Sequence, residues 1–195
     1  MGASFGAAFA IALLILVAKG NGEKAIHLAL RVTARWSYLW FWLAYAGGAL
    51  AALFGPTFLA LAHRGREFGL AFASAHLIHV GLLVWLYHIS LRPPFSQYVL
   101  IFFGIALFWT YLLALLSIRR LSAKLGPKLC RILRTLGVQY IAFAFLSDFA
   151  RNPFQGGLRN IVLYLPFLAL AVAGPLLRLA AMAKRSANVR RLAAV

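Results

Sequence analysis

Apolar residues fall in long runs, separated by short stretches that hold nearly all of the charge. A run of about 17–25 apolar residues can cross a bilayer as a helix. The pattern therefore predicts spans over residues 3–18, 36–62, 68–90, 95–117, 133–150 and 160–183, with a basic tail at 184–195. The first run is short for a span. No positive charge precedes it, so it lacks the basic leader of a signal peptide and is expected to stay as a membrane helix. Residues 19–35 read as a polar connection broken at Gly20, Asn21 and Gly22. Within it, residues 25–34 carry apolar positions at helical spacing, which predicts a short interfacial helix leading into the second span. That span opens on the aromatic run WSYLWFW, at interface level, and its Gly47 and Gly48 favour close helix approach. Gly55-Pro56 is expected to end or kink it.

The rest of the chain reads in the same way. Residues 118–134 form a strongly basic connection, and residues 151–159 a loop built on Asn152-Pro153 and Gly156-Gly157. Pro166 and Gly174-Pro175 are expected to interrupt the sixth span, and the tail from Lys184 is expected to fray. The predicted fold is all-α: an integral membrane bundle of about six transmembrane helices in a single domain.

Composition supports this class. Apolar residues make up 64% of the 195 positions and the mean hydropathy is +0.87, well above the roughly 45–50% apolar usage of soluble domains. The 20 Lys and Arg against 3 Asp and Glu would suggest nucleic acid in a soluble protein. Here the cations sit between apolar runs, where they set topology and meet anionic lipid, so lipid is the expected partner and nucleic acid is not. With six spans, Arg64, Arg66, the basic 118–134 connection and the tail share one side. Lys19, Lys24, Arg31, Arg35, Arg92, Arg151 and Arg159 form the smaller set on the other. The positive-inside rule then places both termini in the cytoplasm. So few carboxylates leave no pair for acid–base catalysis, and the lone Cys130 excludes an internal disulfide. No CxxCH motif for covalent haem attachment is present.

Candidate chemistry concentrates in the third span, FGLAFASAHLIHVGLLVWLYHIS, which holds three of the five histidines. His76 and His79 are three apart, neighbours on one helix face. A neutral imidazole in hydrocarbon needs a partner, so the pair either packs against polar groups of other helices or is offered to a metal. The adjacent small residues Ala73, Ser74 and Ala75 would make room for a flat macrocycle. His88 lies near the opposite interface, and His27 and His63 lie in connections; all three read as solvated or headgroup-facing. Asp148, the carboxylate set in an apolar run, reads as an interfacial residue paired with Arg151.

Three stretches, RVTARWSYLWFWLAYAGGALAALFGP, RGREFGLAFASAHLIHVGLLV and LGPKLCRILRTLGVQYIAFAF, together resemble bacterial ferric-reductase-like transmembrane proteins. This is the membrane haem domain shared with NADPH oxidases and with the haem subunit of the periplasmic methionine sulfoxide reductase system. The resemblance covers roughly residues 31–150, and Ser74-Ala75-His76-Leu77-Ile78-His79 is its most specific piece. It implies a six-helix bundle in a bacterial inner membrane, b-type haem, and electron transfer to or from a quinone or a partner protein. His76 and His79 become the candidate haem ligands. Relatives commonly carry a further histidine in a segment like LGPxxWRxLHxxG, and Arg134 stands at that place here. An arginine is always protonated and is no ordinary axial ligand. At most one haem is then expected, and Arg134 becomes a candidate contact for a haem propionate or a lipid phosphate. The alternative is a haem-less structural or accessory subunit of a larger membrane complex.

Overall fold

The computed structural model describes residues 1–151 and 157–193. Its helices, in chain order, are α1 (Gly2–Lys19), α2 (Glu23–Phe54), a 3-10 turn at Pro56–Phe58, α3 (Leu59–His63), α4 (Gly65–Ile89), α5 (Gln97–Leu116), α6 (Arg119–Leu125), α7 (Pro127–Arg151) and α8 (Gly157–Ala193). The chain is all-α, and six of these helices are long and apolar enough to cross a membrane. α5 is uncharged and turns Ile101, Phe103, Ile105 and Phe108 outward. Such a face suits lipid, which satisfies apolar side chains but no backbone group.

Several boundaries differ from the sequence pattern. The second span does not begin at Trp36: α2 is already helical from Glu23 and stops at Phe54. Its early charges, Glu23, Lys24 and Arg31, are exposed while Ala25, Ile26, Ala29 and Leu30 are buried. The polar appearance of 19–35 is thus one face of an amphipathic helix. Gly55, at φ 86, ends α2 before Pro56, because only glycine takes that conformation without strain. The basic 118–134 connection contains α6 and the first two turns of α7. α8 runs without a break through Pro166 and Pro175, and on through Lys184 to Ala193. Most of the loop predicted at 151–159 lies outside the described residues.

The chain forms two compact units, Met1–Phe41 with Gly69–Ala144 and Trp42–Phe68 with Phe145–Val195. In the first, Ala12 of α1, Ile26, Ala29 and Leu30 of α2, and Leu82 and Leu86 of α4 form a common core. Alanines at these positions let the helices approach closely. Polar links reinforce the contact: Trp36 Nε1 donates to Ser4 O (3.2 Å), and Ser4 Oγ lies 3.1 Å from Ser74 Oγ. α5 meets α7 at Gly137, where a Cβ would stand 2.7 Å from the Trp109 ring. Beyond it the Tyr140 hydroxyl donates to Phe102 O (3.1 Å).

In the second unit, α8 lies along the latter half of α2. A Cβ on Gly174 would stand 3.0 Å from the Tyr45 ring, and Arg178 sits 4.6 Å over that ring. The Trp42 indole donates to Leu170 O (2.8 Å), on the turn preceding Pro175. Lys184 Nζ donates to Ala52 O (2.9 Å) and Leu53 O (3.1 Å). These are carbonyls of the last turn of α2, where a cation is favoured. That anchor accounts for a helical tail where fraying was expected.

Candidate histidine site

α4 places His76 and His79 one turn apart, with ring centroids 5.0 Å apart and planes 21° from parallel. α2 runs antiparallel to α4 in the first unit, so that Leu30 and Thr33 face His79, Ser37 faces His76, and Phe41 faces Phe72. The spacing of Thr33 and Ser37, four residues, keeps both hydroxyls on the stripe of α2 that meets α4. Phe72 flanks the pair, 5.3 Å from the His76 ring.

The hydrogen bonds fix the tautomers. Ser37 Oγ donates to Ala34 O at 2.9 Å, which commits its proton and leaves its lone pairs to accept. The His76 Nδ1–H therefore donates to Ser37 Oγ (3.2 Å). Thr33 Oγ1 likewise donates to Ala29 O (2.8 Å). His79 Nδ1 lies 3.1 Å from Leu30 O and 3.4 Å from Thr33 Oγ1. A carbonyl only accepts, so His79 also carries its proton on Nδ1. Each Nε2 is left with a lone pair, and no hydrogen bond from a described residue reaches either one. Both residues are partly exposed. A metal-bound imidazole needs this arrangement: one nitrogen held by an acceptor, the other free to ligate.

The two rings cannot grip one iron from opposite sides, because they are stacked side by side on one helix. Among the described residues no group of three or more His, Cys, Asp or Glu gathers around a point. The small residues beside the pair do not open a space as anticipated. Ala73 and Ala75 are buried, and Ser74 turns to Ser4 of α1. His27 packs edge-on to Phe95 instead of joining the pair. His63 closes α3 and His88 lies in the last turn of α4.

Arg134 is held elsewhere. Its Nη2 donates to Leu116 O (2.9 Å), an end carbonyl of α5. It lines a cavity of about 610 Å³ with Ser122, Cys130, Arg131 and Thr135, and it makes no hydrogen bond to either histidine. The sequence pattern missed Leu30, Thr33 and Ser37 as partners of the pair. Thr33 and Leu30 lay in the supposed connection, yet the 25–34 apolar spacing and the four-residue Thr33–Ser37 interval were the available signal. Compared with known proteins, the chain matches no family model, no curated protein and no solved structure.

Proposed function

We propose that this chain is a ferric-reductase-like integral membrane protein that binds one b-type haem and carries electrons between a quinone or partner redox protein and an acceptor. The observation behind this reading is the tautomer of the two histidines. Both rings are pinned through Nδ1 to α2 and leave Nε2 free. His79 is the better-placed ligand, since its Nδ1–H reaches a backbone carbonyl that no side-chain motion removes; His76 is the second. Two Nε2 atoms stacked on one helix would hold at most a single haem. A bound haem would supply a one-electron ferric–ferrous couple. The residues on α2 orient the imidazole, and their acceptors raise its basicity toward a bound metal. In this reading the membrane is a bacterial inner membrane, with the termini on the cytoplasmic side that carries most of the Lys and Arg.

One observation favours the second reading, a haem-less accessory subunit. Ser4, Ser74 and Trp36 join α1, α2 and α4 by the same kind of polar link, with no cofactor chemistry attached. The histidines would then be two more such links. Variants separate the readings. His79→Ala is expected to lower the haem retained by the purified protein at least about tenfold, with His76→Ala less severe. Equal haem content in wild type and in the double variant would refute ligation at this site.

A further inference from the structure

We propose that the cleft between α6 and the first turns of α7 binds the phosphate of an anionic phospholipid headgroup. The site stands independently of the haem reading. Three observations converge on it. The first is shape: a cavity of about 610 Å³ is lined by Ser122 from α6 and by Cys130, Arg131, Arg134 and Thr135 from α7. The buried Cys130 thiol donates to Ser122 O (3.3 Å) and holds the two helices at this spacing. The second is charge. Arg119, Arg120, Lys124, Lys128, Arg131 and Arg134 crowd this stretch, and none of the chain's 3 acidic residues lies within it. Arg134 spends one donor on Leu116 O, which fixes its guanidinium and leaves further N–H groups of the fork for an anion. Arginine matches phosphate oxygens in a paired geometry that a point charge does not. Gly126, at φ 76, precedes α7 and brings no side chain over its positive end.

The third observation selects a lipid over a free phosphate. α7 is one of the six helices long and apolar enough to cross a membrane, and Arg131 and Arg134 stand in its opening turns. Basic side chains at the end of a membrane helix lie at the level of anionic headgroups. A phosphate held there belongs to a molecule whose acyl chains enter the bilayer beside α7.

The test titrates the detergent-solubilised full chain with dioctanoyl phosphatidylglycerol and reads bound lipid by native mass spectrometry. Dioctanoyl phosphatidylcholine and inorganic phosphate serve as competitors. One phosphatidylglycerol per chain is expected, displaced by neither competitor at equal concentration. Arg131→Gln with Arg134→Gln should weaken it at least about tenfold. Arg185→Gln with Arg190→Gln, equal in charge removed but distant in sequence, should leave it unchanged. If the double variant fails to fold, Arg131→Gln alone carries the test, since its side chain makes no hydrogen bond to a described residue; a loss of affinity is still expected. Wild-type affinity in the cleft variants would overturn the proposal, and so would equal loss in the control variant. Competition by inorganic phosphate would also overturn it, by making the ligand a free anion.

Discussion

Ser37→Ala and Thr33→Val remove a hydroxyl from the same face of α2, yet they should differ in cost. His76 Nδ1–H has Ser37 Oγ as its acceptor at 3.2 Å. His79 Nδ1–H has two, with Leu30 O nearer at 3.1 Å and Thr33 Oγ1 at 3.4 Å. Alanine at position 37 therefore strands an imidazole N–H, whereas valine at 33 leaves His79 its stronger partner. A side-chain hydrogen bond between membrane helices contributes about 0.6 kcal/mol on average and up to about 1.7. Where the loss strands a donor, the cost is instead the desolvation of that group, of order 1–3 kcal/mol, and the partly exposed His76 ring falls in the lower part of that range. Ser37→Ala is accordingly expected to destabilise by about 1–2 kcal/mol, and Thr33→Val by less than about 0.6 kcal/mol. Equilibrium unfolding in mixed micelles, with SDS as denaturant, measures both. The sharper readout is a pair of double-mutant cycles. Ser37→Ala with His76→Ala should show a coupling of about 0.6–1.7 kcal/mol, and Thr33→Val with His79→Ala close to none. Strict additivity in the Ser37–His76 cycle, or Thr33→Val costing as much as Ser37→Ala, would refute the tautomer assignment on which the site rests.

Three further outcomes follow from the packing. Gly137→Ala puts a methyl 2.7 Å from the Trp109 ring and should cost about 1–3 kcal/mol in the same unfolding assay, less up to about 1 kcal/mol returned by helix propensity; a stabilised variant would contradict the α5–α7 contact. Gly174→Leu should be worse than Gly174→Ala, because the Tyr45 ring stands 3.0 Å from the first added carbon and blocks the rest of the side chain. Lys184→Gln should speed amide hydrogen exchange in residues 184–193, with α2 losing its cap at Ala52 and Leu53; unchanged exchange would show that the tail is helical without that anchor.

Much of the architecture is legible in the sequence, for a physical reason. A bilayer accepts only helices with their backbone groups satisfied internally, so long apolar runs translate directly into spans. Misreadings occur where a helix has a polar face. Residues 23–35 carry charge on the outside of α2 and alanine on the inside, and their overall polarity masked the helix. At about 1.5 Å per residue, the 32 residues of α2 reach about 48 Å, well beyond a hydrocarbon core of roughly 30 Å. Pro166 and Pro175 suggest breaks in α8, yet the helix continues through both; beside Pro175 the Trp42 indole donates to Leu170 O. At the site, the three-residue interval placed His76 and His79 on one face. The Thr33–Ser37 interval marks the stripe of α2 that carries their partners, but which residue meets which histidine is not legible, because the register of α2 against α4 is set by core packing around Ile26, Leu30, Leu82 and Leu86. Arg134 draws notice through the resemblance of its segment to one that carries a histidine. Its observed setting, against Leu116 and the α6–α7 cleft, depends on the short helix hidden in a basic stretch.

One haem on the Nε2 face of the histidine pair is tested by a reduced-minus-oxidised absorption spectrum of the full chain purified in mild detergent, with iron counted per chain. A b-type haem spectrum with close to one iron per chain is expected. A featureless spectrum from folded, iron-free protein, still iron-free after incubation with haemin, would contradict it and leave the histidines as helix-packing groups of an accessory subunit.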